Sequence, residues 1–345
     1  MLTRRRMLAL AAGALSGVAA LPALPARAAT GPTAGPWPVL RLGLLQFGTG
    51  AWEIAAMTAL GLDAAHGVTL APQRFATNDA GRIAFQAGAV DAILSDLLWA
   101  ARVKAEGRDL VYLPFSSAEG AVMVRADSPL RSVADLAGKR LGVAGGALDK
   151  SWLMLKAHAQ SQAGLDLQSA ARPVFAAPPL LAAELERGNL DAALLYWTFC
   201  ARLAPKGFRR LISVEELVRG FGVPREPTLV GYVFDGAFAR AHPATVAAFA
   251  GASRATKAAL AGDDPARTEA AWAAARGEMQ APDEATFAAL REGFIAGVPR
   301  LSLVEDEAAA VELYAVLARL GGERLVGPAA SLPPGLYFAP ERAAP

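Results

Sequence analysis

The hydrophobic positions of the chain alternate between two patterns. Short continuous apolar runs, which are typical of buried strands, are followed by longer stretches whose apolar residues recur at helical spacing. The first such pair is the run VLRLGLLQF and the stretch AWEIAAMTALGL, which a GTG turn separates. Strands that alternate with helices predict an α/β fold with mostly parallel sheets.

This alternation takes place in two rounds. The first round ends near LVYLPF, and the second begins at KRLGVAG, after the segment AVMVRADSPL. From TLVGYVFD onward the pattern is that of consecutive helices, and the Pro-rich residues 328–345 predict an extended tail. We therefore expect two α/β units, a helical segment and a short tail.

Two segments one hundred residues apart share a pattern. In GAVDAILSDLLWA and GNLDAALLYWTFC a helix ends at glycine, and Asp-Ala opens a short buried strand. Ligands of open α/β sheets bind beyond the carboxyl ends of the strands. The residues at these ends, Ser95-Asp96 and Tyr196-Trp197, would meet in one cleft if the two units faced each other.

The repeat also has simpler explanations. Few positions match between the two segments, so chance in an Ala- and Leu-rich chain is one alternative. Asp91 and Asp191 are interpreted as turn-forming residues rather than ligand contacts, because Asp side chains accept hydrogen bonds from the amides of turns.

The first 28 residues have the composition of an export signal. Arginines at 4–6 precede the apolar stretch Met7–Leu24, and Ala26-Arg27-Ala28 offers a small-x-small cleavage site. These features predict a signal peptide that is cleaved near Ala28, and the arginines resemble a twin-arginine motif. The alternatives are the general export route and an uncleaved membrane anchor, which the glycines and Pro22 disfavour. The predicted location is the periplasm.

Composition excludes several classes of function. The formal net charge is +2 over 345 residues, and loss of the arginine-rich segment leaves a slightly acidic chain. Nucleic-acid binding is therefore disfavoured, because it needs concentrated positive charge. Cys200 is the only cysteine, so it forms no internal disulfide, and the three histidines lack metal-ligand spacing. We expect neither a metal nor a cofactor.

Several segments, taken in order, resemble those of a known family. They are similar to elements of the periplasmic solute-binding proteins of ABC importers, in the nitrate/sulfonate/taurine branch that includes the thiamine-pyrimidine-synthase-like proteins. The resemblance covers roughly residues 40 to 300. The segments are MTALGLDAAHGVTL, FQAGAVDAILS, SPLRSVADLAGKRLGVAGG, LERGNLDAALLYW and FDGAFARAHPATVAAFAGASRATKAAL.

The resemblance implies a two-lobe fold of type II with two crossings between the lobes. Both ends of the chain would contribute to lobe 1, which agrees with the breaks near MVRADSP and TLVGYVFD. The predicted parts are lobe 1 at 39–123, lobe 2 at 124–228, the lobe 1 return with C-terminal helices at 229–327, and the tail at 328–345.

The candidate ligand-binding residues lie at predicted strand ends and helix starts. Helix starts expose backbone N–H groups, and tryptophan stacks on planar or cationic ligands. The turn AGGALDKSW is similar to a P-loop, but Asp149 takes the place of the glycine required before the lysine, so nucleotide binding is disfavoured. The candidates are Phe47, Thr49, Trp52, Asn78, Ser95, Asp96, Lys150, Ser151, Trp152, Tyr196 and Trp197.

These features predict a monomeric binding protein that captures a small organic ligand, planar or aromatic, and delivers it to an ABC permease. Trp52 and Asp96 depart from the small hydroxyl and glycine residues of the family's small-anion members, which disfavours sulfonate or taurine as ligand. One alternative is an enzyme on this scaffold related to thiamine-pyrimidine synthesis, although Cys200 alone does not reproduce the Cys-rich motif of those proteins. Another is a secreted sensor domain.

Overall fold

Ten strands form two five-stranded sheets in the computed structural model, which describes residues 37–46 and 48–339. The predicted signal peptide, Phe47 and residues 340–345 lie outside the described residues. The strands are β1 (Val39–Leu45), β2 (Thr69–Phe75), β3 (Ala92–Asp96), β4 (Leu110–Ser116), β5 (Ala121–Arg125), β6 (Arg140–Ala144), β7 (Arg172–Ala176), β8 (Ala192–Leu195), β9 (Phe208–Ser213) and β10 (Val230–Asp235).

Helices cover both sheets and make up most of the chain after β10. Those before β10 are α1 (Gly50–Ala59), α2 (Leu62–His66), α3 (Asn78–Gln86), α4 (Leu97–Ala105), α5 (Lys150–Ala163), α6 (Leu167–Ala170), α7 (Pro178–Glu186), α8 (Trp197–Leu203) and α9 (Val214–Gly220). Those after it are α10 (Gly236–Ala241), α11 (Pro243–Ala261), α12 (Pro265–Met279), α13 (Glu284–Ala296), α14 (Leu303–Gly321) and α15 (Glu323–Val326). Between residues 37 and 339, no helix has the length and apolar character needed to cross a membrane.

The two sheets have the same topology. Their strand orders are β2-β1-β3-β10-β4 and β7-β6-β8-β5-β9. The first three strands of each are parallel, and the fourth is antiparallel to both of its neighbours. This fourth strand is in each case the first one after the chain crosses from the other sheet, through residues 117–120 or 221–229. The predicted α/β class, with two lobes and two crossings, is confirmed.

The first crossing comes earlier than predicted. Strand β5 pairs with β8 and β9, so it belongs to the second lobe, and the predicted boundary at 123 falls inside it. The chain leaves the first lobe after Ser116. The periodicity of an apolar run does not tell to which sheet the strand pairs, so the pattern alone misplaced this boundary.

Asp91 and Asp191, the two aspartates of the repeated pattern, form hydrogen bonds at the starts of the central strands β3 and β8. Asp91 accepts hydrogen bonds from the backbone N and the Nε of Arg41, at 2.9 and 3.0 Å. Asp191 accepts them from the backbone N and the Nη2 of Arg140, at 2.7 and 3.2 Å. Each pair ties the start of β3 or β8 to the neighbouring parallel strand. The aspartates therefore lie at the amino ends of the strands, where they are structural.

The C-terminal segment secures the second crossing. Asp306, near the start of α14, accepts hydrogen bonds from the backbone N and Oγ1 of Thr228 at 3.0 and 2.5 Å, and from the Tyr337 hydroxyl at 2.7 Å. The tail runs along β4, because the Tyr112 N donates to the Leu336 carbonyl at 2.7 Å and the Phe338 N donates to the Tyr112 carbonyl at 2.8 Å. Helix α14 and the tail thus hold the strand on which the chain returns to the first lobe.

Candidate ligand-binding cleft

The carboxyl ends of the parallel strands in both sheets border a single cleft. Most of it is a cavity of about 670 Å³, called here the large cavity. The first lobe lines it with the ends of β1 and β2 and with α3 and α4, and the second lobe lines it with the loops after β6, β7 and β8. Open α/β sheets bind ligands at this position, and the volume is typical of a small-molecule site.

A second cavity of about 120 Å³, called here the small cavity, adjoins the large one. The two share Leu45, Asn78, Asp149 and Tyr196 in their walls. Four charged side chains line each cavity, while the small cavity has more hydroxyl groups and the large one more apolar side chains. The polar residues that line only the small cavity are Thr49, Ser95, Asp96, Ser116, Glu119, Lys150 and Thr198.

Arg82 and Trp99 form one wall of the large cavity. The Arg82 guanidinium carbon lies 5.0 Å from the centroid of the Trp99 ring. Arg82 also forms an ion pair with Asp96 and donates a hydrogen bond to the Ser95 Oγ at 3.3 Å. Asp96 caps α4 by accepting a hydrogen bond from the backbone N of Trp99 at 2.8 Å. Asp96, at the end of β3, thereby holds both the Arg82 guanidinium and the start of the helix that carries Trp99 in place.

At the boundary of the two cavities, a hydrogen bond links the two lobes. The Asn78 Nδ2, at the start of α3, donates to the Tyr196 hydroxyl oxygen at 3.2 Å. Burial raises the pKa of Tyr196 well above its ordinary value, so the phenol stays neutral at physiological pH. Gly145 lies against this tyrosine at a φ of +85°, and a Cβ there would approach the hydroxyl to 3.1 Å. A glycine is needed at this position for both reasons.

Glu119 and Lys150 form a buried ion pair at the edge of the small cavity. The Lys150 Nζ lies 2.7 Å from the Glu119 Oε2, and the two side chains are 8% and 6% exposed. Burial raises the pKa of Glu119 to about 7, although the lysine opposes this shift. The other oxygen, Oε1, has no hydrogen-bond partner among the described residues. The pair joins the first crossing to the start of α5.

Asp149 lies between the two cavities and caps α5. Its Oδ1 accepts a hydrogen bond from the backbone N of Ser151 at 2.9 Å. Burial raises its pKa above the ordinary value. The Gly-rich loop after β6 therefore presents a carboxylate to the cleft.

The NMT1/THI5-like family model matches residues 85–266, which is just over half of the chain. The protein belongs to this family. The match begins in α3 and ends after α11, so it includes both crossings and the whole second lobe. A search of curated proteins finds no match.

Solved structures similar to this NMT1/THI5-like protein have the fold of periplasmic binding proteins. The periplasmic aliphatic sulphonate binding protein SsuA from Escherichia coli is 20% identical, with a TM-score of 0.63 over 85% of this chain and 95% of the other. The alkanesulfonate-binding protein SsuA from Xanthomonas axonopodis pv. citri, bound to MOPS, is 19% identical, with a TM-score of 0.65 over 88% and 99%. A Candida albicans protein with the generic periplasmic binding protein fold is 13% identical, with a TM-score of 0.58 over 82% and 90%. At these identities the likeness shows the fold, and with the family match it confirms the predicted resemblance.

Most of the candidate residues of this NMT1/THI5-like protein border the small cavity. Asn78 and Tyr196 border the large cavity as well. Phe47 lies outside the described residues. The candidates placed at the small cavity are Thr49, Asn78, Ser95, Asp96, Lys150, Tyr196 and Trp197.

Three candidates lie outside these two cavities. Trp52 is 2% exposed and packs edge-on against Trp197 of the second lobe, with ring centroids 5.8 Å apart. Trp152 is 0% exposed and packs against Phe175. Ser151 is buried next to it and lines neither cavity. Successive residues of a helix point about 100° apart, so residues one or two positions after a cleft-facing helix start turn towards the core.

The prediction did not include several residues of the cleft, among them Arg82, Trp99, Glu119 and Asp149. Arg82 lies one helical turn after Asn78, so the spacing of the predicted helix could have indicated it. Trp99 follows Asp96 by three residues on α4, which is a comparable signal. Glu119 gave no signal of this kind, because its position depends on where the chain crosses between the lobes. Asp149 directly precedes Lys150 as the N-cap of α5, so the predicted helix start could have indicated it.

The hydrogen bond across the cleft can be tested by a double-mutant cycle. We expect Asn78→Ala and Tyr196→Phe to show a coupling free energy of about 0.5–1.5 kcal/mol, the usual net contribution of one hydrogen bond. Chemical denaturation of the wild type, both single variants and the double variant measures it. Additive effects of the two substitutions would mean that the bond does not hold the lobes together.

Proposed function

We propose that this protein is an extracytoplasmic solute-binding protein, which encloses a small organic ligand between its two lobes and delivers it to an ABC permease. The observation that carries this proposal is the cleft, which is bordered by the strand ends of both lobes and spanned by the Asn78–Tyr196 hydrogen bond. Membership of the NMT1/THI5-like family and the periplasmic binding protein fold of its structural neighbours support it.

The two crossings offer a mechanism for ligand capture. Two lobes joined by short crossings can rotate about them, and a ligand that contacts both lobes stabilises the closed arrangement. Micromolar affinity requires about −8 kcal/mol, which a buried ligand can obtain from apolar walls and a few hydrogen bonds. The permease would recognise the closed form.

Export and oligomeric state are part of the proposal. The arginine-rich apolar segment 1–28 supports passage into the periplasm by the twin-arginine route, with cleavage near Ala28. A monomer is proposed because ligand capture uses two lobes of the same chain.

The state of Cys200 favours binding over covalent catalysis. Its side chain is buried, and burial raises the pKa of the thiol to about 12. The thiolate is the nucleophilic form of cysteine, and this thiol stays protonated at neutral pH. Cys200 also lines neither of the two cavities.

A steric plug tests the proposed function. A Cβ at Gly146 would have no neighbour within 4 Å, and the residue lines the large cavity, so Gly146→Trp is expected to fold and to fill the cleft. Small organic compounds that raise the melting temperature of the wild type by several degrees should have no effect on this variant. Gly277→Trp is the matched control, since a Cβ at Gly277 also has no neighbour within 4 Å and the residue lies on α12, outside both cavities.

Each outcome of these experiments is informative. Loss of the ligand response in Gly146→Trp alone supports binding in the cleft, and an unchanged response in that variant places the ligand elsewhere. Mass spectrometry of the recovered compound distinguishes binding from turnover, since a chemically changed compound contradicts the proposal. Deletion of the gene should abolish uptake of the same compound.

A further inference from the structure

The charges that line the two cavities do not balance. Three cationic side chains line the cleft together with four carboxylates, so the cleft has one negative charge in excess when all four carboxylates are ionised. The cations are Arg82, Arg102 and Lys150, and the carboxylates are Asp79, Asp96, Glu119 and Asp149.

The cations of the cleft are already engaged within the protein. Arg82 pairs with Asp96 and lies 3.7 Å from the Asp79 carboxylate. Lys150 pairs with Glu119, and Arg102 has an interaction partner as well. To pair with Arg82 or Lys150, an anionic ligand would have to displace the carboxylate that each already holds, and it would add a further negative charge to the cleft.

Two carboxylates, those of Glu119 and Asp149, can still accept hydrogen bonds from a ligand. The Glu119 Oε1 is buried at the small cavity without a hydrogen-bond partner among the described residues, and a buried acceptor left unpaired costs free energy. Among the described residues, the Asp149 side chain accepts only the capping bond from Ser151 and makes no direct ion pair, although the charges of Lys150 and Arg82 still act on it. Asp149 borders both cavities, so its carboxylate is within reach of a ligand in either.

We propose that the ligand is an organic cation, whose protonated amine or amidinium group enters the small cavity and whose apolar or aromatic body occupies the large one. This assignment rests on the proposed binding function. The N–H groups of the ligand's amine or amidinium group donate hydrogen bonds to the Glu119 Oε1. The positive charge of this group balances the negative charge of Asp149. The small cavity, at about 120 Å³, has room for a few heavy atoms. Trp99, Tyr196 and Leu148 face the body.

The inference predicts how affinity changes with pH. Glu119 is faced by Lys150 from α5, by Glu215 from α9 and by Asp149 from the loop after β6. Because burial raises the pKa of Glu119 to about 7, protonation below this pH removes the negative charge that attracts the cation. The affinity for an organic cation should therefore rise between pH 6 and pH 8, whereas a neutral ligand should show little change.

Charge-matched probes test the assignment. The purified protein is screened by thermal shift and calorimetry with sets that share one body, such as phenethylamine, phenethyl alcohol and phenethyl sulfonate, or benzamidine, benzamide and benzenesulfonate. Asp149→Asn removes the negative charge and keeps a good helix cap, so it is expected to fold. We expect cations to bind best, and this variant to lose about tenfold or more in affinity for them.

A second variant and a control complete the design. Glu119→Gln should lower cation affinity to a similar extent and remove its dependence on pH between 6 and 8, an effect that a purely structural role for Glu119 would not produce. Glu312 is an exposed carboxylate on α14, so Glu312→Gln should change neither the cation affinity nor its dependence on pH. Preferred binding of sulfonates or neutral compounds, or full cation affinity in both variants, overturns the assignment and leaves solute binding intact. No thermal response to any probe contradicts the cation assignment, whereas the binding function is tested separately by the Gly146→Trp variant.

Discussion

Lys257→Met is expected to destabilise the protein by about 3–5 kcal/mol, because it leaves a buried carboxylate without its counter-ion. The Lys257 Nζ lies 2.5 Å from the Glu53 Oε2, 2.7 Å from the Ser253 Oγ and 4.6 Å from the centroid of the Phe115 ring. The Glu53 side chain is 0% exposed, so water cannot take the place of the lysine. Phe115 lines the small cavity, and the ion pair therefore supports the base of the cleft.

Chemical denaturation followed by circular dichroism measures this loss. The control is the double variant Glu53→Gln, Lys257→Met, in which no unpaired charge remains. It should be markedly more stable than Lys257→Met alone, with the Tyr232 hydroxyl, 3.3 Å from the Glu53 Oε1, still able to bond to the amide. Equal stability of the single and double variants would show that the pair is not what makes Lys257 necessary.

Gly120→Ala is expected to cost about 3 kcal/mol or more and to weaken ligand binding. Gly120 is the last residue of the first crossing, where the backbone of β8 passes directly against it. A Cβ at this position would overlap the carbonyl oxygen of Leu195 and would lie 3.2 Å from the Cα of Tyr196. Backbone atoms cannot move aside as a flexible side chain does, so β8 and the tyrosine must shift.

The melting temperature and the ligand-induced thermal shift of Gly120→Ala measure both effects. Gly277→Ala is the control, because a Cβ there meets no atom within 4 Å and alanine favours a helix by about 0.5–1 kcal/mol. We expect this control to be as stable as the wild type or more so. A Gly120→Ala variant with wild-type melting temperature and ligand response would contradict the close approach of the crossing to β8.

The candidate site was predictable where it depends on strand ends. Ser95, Asp96, Tyr196 and Trp197 follow short apolar runs, and the carboxyl ends of parallel strands meet at one edge of a sheet. The first residue of α5, Lys150, was accessible to the same reasoning. These predictions need only the order of elements along the chain.

The placement of the tryptophans was not predictable in this way. Trp52 and Trp152 follow helix starts that border the cleft, yet both are buried in hydrophobic clusters and line neither cavity. A helix in an Ala-rich sequence has a weak apolar stripe, so its rotation about its own axis is decided by packing against the sheet. The aromatic wall of the cleft is instead supplied by Trp99 and Tyr196.

What the amino-acid sequence determined by itself is the local pattern: the alternation of strands and helices, the two rounds that become two lobes, and the polar residues at the ends of strands. Only the tertiary structure decided that β5 belongs to the second sheet, that Glu119 meets Lys150, and that Asn78 reaches Tyr196 across the cleft. Periodicity and turn chemistry act between residues a few positions apart. The pairing of strands and the closure of two lobes depend instead on contacts between residues that are distant along the chain.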